Sequence, residues 1–192
     1  MLPAVMRTLG SAVAVATCLA APCAMSAQDA TIQYSGESIK VVLQPGGVGP
    51  GAGAQIEVSM KGRVFAPTER PEELTRFIDG LVGAYAGGTV EDALRLWGVD
   101  ERDALRAAMH REIEWTKNAS FYRAVVRSDV CAVVQYGRYE FVIVQHHRPG
   151  GTTVKVYPTA VGTERHLTNR LKADDVQLLL VRRVAAELIR QR

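Results

Sequence analysis

Residues 130–147 read Val130-Cys131-Ala132-Val133-Val134-Gln135-Tyr136-Gly137-Arg138-Tyr139-Glu140-Phe141-Val142-Ile143-Val144-Gln145-His146-His147. Two runs rich in β-branched and aromatic residues flank Gly137-Arg138, the signature of two strands joined by a tight hairpin turn. In such a hairpin Tyr136 faces Tyr139, and every second residue along each strand shares their side. One side then holds Ala132, Val134, Tyr136, Tyr139, Phe141, Ile143, Gln145 and His147. The other holds Cys131, Val133, Gln135, Glu140, Val142, Val144 and His146. Both are apolar in the middle, so both need cover. The tyrosine side carries more large apolar surface and is expected to face the helices described next.

Outward from the hairpin, strand patterns are read at 121–127, 152–157 and 164–171, with Pro149-Gly150-Gly151 as a further turn. Together these predict an antiparallel meander. Before it come three helices. The first opens at Pro71 with Glu72 and Glu73 favouring the positive end of its dipole, and carries Leu74, Phe77, Ile78, Leu81, Val82 and Tyr85 at helical spacing before Gly87-Gly88. Thr89 and Asp92 mark the start of a short second helix ending at Gly98. Asp100 opens a third, with Leu105, Ala108, Met109 and Ile113 on one face. After the meander, Asp174 caps a helix running to about Arg190, with a wide apolar arc that includes Val176, Leu179, Leu180, Val184 and Leu188.

The segment Phe77-Ile78-Asp79-Gly80-Leu81-Val82-Gly83-Ala84-Tyr85-Ala86-Gly87-Gly88-Thr89-Val90-Glu91-Asp92-Ala93-Leu94-Arg95-Leu96-Trp97 joins a long helix, a break of a tyrosine plus small residues, and a short helix. Over roughly residues 68–171 this order resembles the cone-shaped superfamily that includes nuclear transport factor two, ketosteroid isomerases and polyketide cyclases. The resemblance implies an α+β fold in which three N-terminal helices pack on a curled antiparallel sheet, with extra N-terminal strands and a C-terminal helix added. That superfamily includes enzymes and many non-catalytic binding or dimerisation modules, so fold alone does not choose a function.

Residues 1–27 read as a signal peptide. Arg7 is the sole charge before Asp29, the stretch from Leu9 to Ala21 is apolar or small, and Pro22 ends it short of a membrane span. Cleavage is placed near Ser26 or Ala27. Three regions follow: 1–27 for export, 28–66 for N-terminal strands and a Gly-rich loop (45–53), and 67–192 for the cone-type domain. The expected location is the bacterial periplasm or the medium. Removal of the leader takes Cys18 and Cys23 with it, so the mature chain keeps Cys131 and has no internal disulfide. Its stability must come from packing, for which roughly 165 residues suffice. Cys131, within an apolar run, reads as a small buried hydrophobe.

The chain has 23 Lys and Arg against 20 Asp and Glu, a formal charge of +3, and loss of Arg7 lowers that by one. No basic stripe of the kind nucleic-acid backbones require is present. No nucleophile elbow, His-Glu-x-x-His pattern or paired-cysteine pattern occurs. His146 and His147 are adjacent on a strand and point to opposite faces, so they do not chelate one ion; neither metal nor cofactor is expected. The Gly-rich loop lacks the Gly-Lys-Ser/Thr ending of a phosphate loop.

The candidate ligand-binding residues are Tyr136, Tyr139, Gln145 and His147, which share a face and combine a neutral-range proton carrier with hydroxyl donors. The leading expectation is a non-catalytic module that binds a small apolar ligand or an envelope protein. Two alternatives are a cofactor-independent isomerase, dehydratase or cyclase using His147 and a tyrosine, and an accessory subunit of an envelope assembly docking through the terminal helix. A homodimer stays open. So does membrane contact through that helix, where Arg182, Arg183, Arg190 and Arg192 flank the arc.

Overall fold

The computed structural model describes residues 30–35, 37–43, 56–161, 164–171 and 175–191. The expected leader at 1–27, with Cys18 and Cys23, the Gly-rich loop, Asp174 and Arg192 lie outside them. Among the described residues the chain forms one antiparallel sheet of seven strands in strictly sequential order, with helices on both faces. The strands are β1 (Ala30–Ser35), β2 (Ser38–Leu43), β3 (Ile56–Val64), β4 (Arg127–Tyr136), β5 (Tyr139–Arg148), β6 (Gly151–Val161) and β7 (Arg165–Leu167). The strands assigned to 28–66 continue the sheet of 67–192 through the β3–β4 pairing, Lys61↔Gln135 to Val64↔Ala132. Gly62 makes that pairing close, since a Cβ there would lie 2.6 Å from the Val133 carbonyl oxygen.

The helices between β3 and β4 are α1 (Glu72–Gly87), α2 (Val90–Leu94), α3 (Arg102–Met109) and α4 (Glu112–Arg123). Leu74, Ile78, Leu81 and Tyr85 form the buried stripe of α1, and Thr89 with Asp92 forms a complete capping box on α2. The expected third helix is in fact two. Arg111 takes an extended backbone conformation and breaks it, leaving Ile113 69% exposed. The expected strand at 121–127 is corrected as well: α4 continues through Arg123 because Trp115, Ala119 and Tyr122 recur at helical spacing toward the core. Arg123 Nε then donates to the Ala86 carbonyl, 2.8 Å, tying α4 to the end of α1.

The hairpin is as read, with Tyr136 opposite Tyr139 and Gly137 at φ 63°. Farther along, β4 carries a bulge between Val130 and Ala132. Cys131 is the extra residue, and its carbonyl accepts from Phe65 N at 2.9 Å. A bulge reverses the side on which every earlier residue of its strand lies. Val130 therefore joins Val142, Val144 and Tyr157 under the helices, while Cys131 packs with Ala132, Val134 and Phe141 on the other face.

That distribution corrects a third expectation. The tyrosine side of the hairpin does not face α1–α4; it faces the C-terminal helix α5 (Val176–Gln191). Four helices bury the Val142-Val144-His146 side instead. Leu178, Leu180, Val181, Val184, Ala185 and Leu188 of α5 are buried against Tyr139, Phe141 and Ile143, while Leu179 is 44% exposed. Asp175 caps α5 by accepting from Gln177 N at 2.9 Å. The apolar arc is thus largely used within the chain. No helix among the described residues is long and apolar enough to cross a membrane.

Candidate functional site

Sharing a face does not bring the four candidate residues together. The steps from Tyr139 to His147 along β5, at about 3.4 Å each, separate the two by about 27 Å. Tyr136 and Tyr139 pack at the hairpin end against the α5 core. Gln145 and His147 lie at the opposite end, where His147 Nε2 is 2.8 Å from Asp129 Oδ2 and its Nδ1 is 3.4 Å from Thr152 Oγ1. Asp129 also accepts from Arg127, 2.9 Å. Asp129 escaped sequence reasoning because unbroken alternation assigns it to the other face. The bulge at Cys131 brings it round.

The interior polar cluster lies on the other side and is built from the neighbouring histidine. His146, with no exposed surface, comes from the middle layer of the sheet. Its Nδ1 is 2.8 Å from Ser128 Oγ and its Nε2 is 2.6 Å from the Tyr157 hydroxyl. The Tyr157 hydroxyl is 3.0 Å from that of Tyr122 on α4. Tyr85 of α1 stacks on Tyr122 with ring centres 5.1 Å apart, and its hydroxyl accepts from Trp97 Nε1 at 3.2 Å. Ser128, like Asp129, reaches this position through the bulge. Tyr122 was hidden by the misread helix end. Tyr157 and His146 were each visible as strand residues, but nothing in the spacing pairs them.

Burial lowers the His146 pKa to about 3, reinforced by the nearby positive charges of Lys155 and Arg148. Those two cations lie over the Phe121 ring, at 3.7 and 4.6 Å from its centre. Burial also raises the Tyr157 and Tyr122 hydroxyls and pushes Tyr85 up to about 12. Near neutral pH the imidazole is therefore uncharged and all three phenols keep their protons. Such a chain orients side chains; it is a poor acid and a poor base.

Beside this cluster is a cavity of about 40 Å³, walled by Leu81, Tyr85, Tyr122 and Tyr157 on its buried side. It opens where β6 runs past the short β7, between the helical layer and α5. Asn169 and Arg182 stand at its rim. A cavity of that size accommodates about three water molecules. The rim is held by β7 and its flanks: Leu167 N donates to Leu96 O at 2.7 Å, and Glu101 accepts from Thr168 Oγ1 at 2.7 Å and from Asn169 N at 2.5 Å. Among the described residues no group of three or more His, Cys, Asp or Glu side chains is placed to hold a metal ion.

No family model, curated protein or solved structure matches this chain.

Proposed function

We propose that this chain is an exported binding module without catalytic activity, taking a small ligand at the cavity between the helical layer and α5. The observation that carries the reading is the closed hydrogen-bond chain Ser128–His146–Tyr157–Tyr122. Its polar atoms answer one another, and its one basic group has a pKa of about 3, too low to take a proton from a substrate near neutral pH. What faces the cavity is an aromatic wall with few polar groups, a composition suited to holding a ligand. Export, a periplasmic location and the likeness to the cone-shaped superfamily belong to the same proposal, and rest on the sequence.

Thermal denaturation of the mature chain across a small-molecule library tests it. A saturable rise in Tm without turnover of the compound is the expected result. Turnover by the wild-type chain would overturn it.

A second reading is a cofactor-independent isomerase, dehydratase or cyclase centred on His147. One observation favours it: Asp129 orients the imidazole as a carboxylate orients a general base. Arg127 shares that carboxylate, however, and the hairpin tyrosines are a strand's length away. An activity lost in His147→Ala would establish this reading over the first.

A further inference from the structure

Arg182 is the charged side chain that lines the cavity. It projects from α5, is half-buried, and among the described residues has neither an ion-pair nor a hydrogen-bond partner. Burial lowers its pKa, the direction expected of a guanidinium taken partly out of water. A guanidinium stays protonated all the same, so a positive charge stands at the rim. Several other arginines of this chain are ion-paired, as Arg106 is by Glu91 and Asp103.

A second donor faces the same space. The Tyr85 hydroxyl spends its oxygen lone pair on Trp97 Nε1, a group that only donates. The hydroxyl's own proton has no acceptor among the described residues. The cavity lining thus combines a half-buried cation, a hydroxyl donor, and apolar surface from Leu81 and Leu178.

We propose that this cavity binds a short-chain monocarboxylate, its carboxylate on Arg182 and its alkyl tail between Leu81 and Leu178. This rests on the binding reading above and names its ligand class. A guanidinium matches a carboxylate through paired N–H donors, an arrangement that discriminates against neutral isosteres. The volume of about 40 Å³, room for about three waters, limits the tail to about two or three carbons.

The test is titration of the mature chain with propionate and butyrate, and with propionamide and butyramide as neutral isosteres. The Trp97 indole N–H resonance in ¹⁵N-labelled protein is the reporter, since that group bonds the cavity-lining Tyr85. The acids are expected to shift it saturably and the amides to leave it in place. Arg182→Gln should weaken acid binding about ten- to a hundredfold, with an unchanged urea midpoint showing that the variant is folded; Arg182→Lys should keep part of the affinity. Acid binding equal in wild type and Arg182→Gln would overturn the proposal. Amides that bind as well as acids would remove the carboxylate preference and leave the binding reading standing. No response to either class would overturn the carboxylate proposal, while the library screen decides the binding reading separately.

Discussion

His146 Nε2 and the Tyr157 hydroxyl oxygen stand 2.6 Å apart in a part of the interior where the imidazole has no exposed surface. This contact joins two strands to the helical layer through Tyr122, and the burial around it lowers the His146 pKa.

The His146 pKa of about 3 lies below that of the unfolded chain, near 6.5. In the window between those values the unfolded state binds a proton that the folded state refuses. The stability His146 confers is therefore complete above about pH 6.5 and falls as pH drops, by up to about 1.4 kcal/mol per unit. Urea unfolding at several pH values between 7 and 4 should show this slope in the wild type. In His146→Gln the slope should be smaller, and the difference between the two curves isolates the histidine.

Tyr157 bridges two partners, whereas Tyr122 ends the chain. Tyr157→Phe strands His146 Nε2 and the Tyr122 hydroxyl together, while Tyr122→Phe removes one contact. The first should cost about 2–4 kcal/mol and the second about 1 kcal/mol, read as the loss of unfolding free energy in urea at pH 7. Equal costs would show that the bridge is not shared.

Thr89 Oγ1 accepts from Asp92 N at 3.2 Å, and Asp92 accepts from Thr89 N at 2.9 Å. Thr89→Ala should cost about 1 kcal/mol. Because the two bonds form one unit, Thr89→Ala and Asp92→Ala combined should cost less than the sum of the single variants. Thermal unfolding of the three variants measures the shortfall.

At Gly62 a Cβ would lie 2.6 Å from Val133 O and 2.9 Å from Ile39 Cδ1. Backbone on one side and a fully buried isoleucine on the other leave little room to yield. Gly62→Ala should lower stability by about 1–3 kcal/mol. Hydrogen exchange should localise the loss to the β3–β4 pairing.

The periodicity of single elements is what the sequence could determine. The α1 stripe, the capping box at Thr89 and the hairpin at Gly137-Arg138 follow from local spacing and turn chemistry, and each stands where the residues place it. Helix against strand at 121–123 could not be settled locally, because Phe121 and Tyr122 suit either and only packing against α1 favours the helix.

The candidate site shows the same division more sharply. Alternation correctly put Tyr136, Tyr139, Gln145 and His147 on one face, but a face is long, and position along it decides which side chains meet. One extra residue, Cys131, then reversed the side taken by Ser128 and Asp129, giving each histidine a partner that period-two reasoning denies it. Which face the helices cover was also a tertiary matter. Both faces are apolar enough to be buried, so the choice fell to the packing of α1–α4 and α5 against them. The sequence alone determined the Gly137-Arg138 hairpin and the α1 stripe, whose signals are local; the packing of the two helical layers on the sheet decided which residues surround the cavity at Arg182.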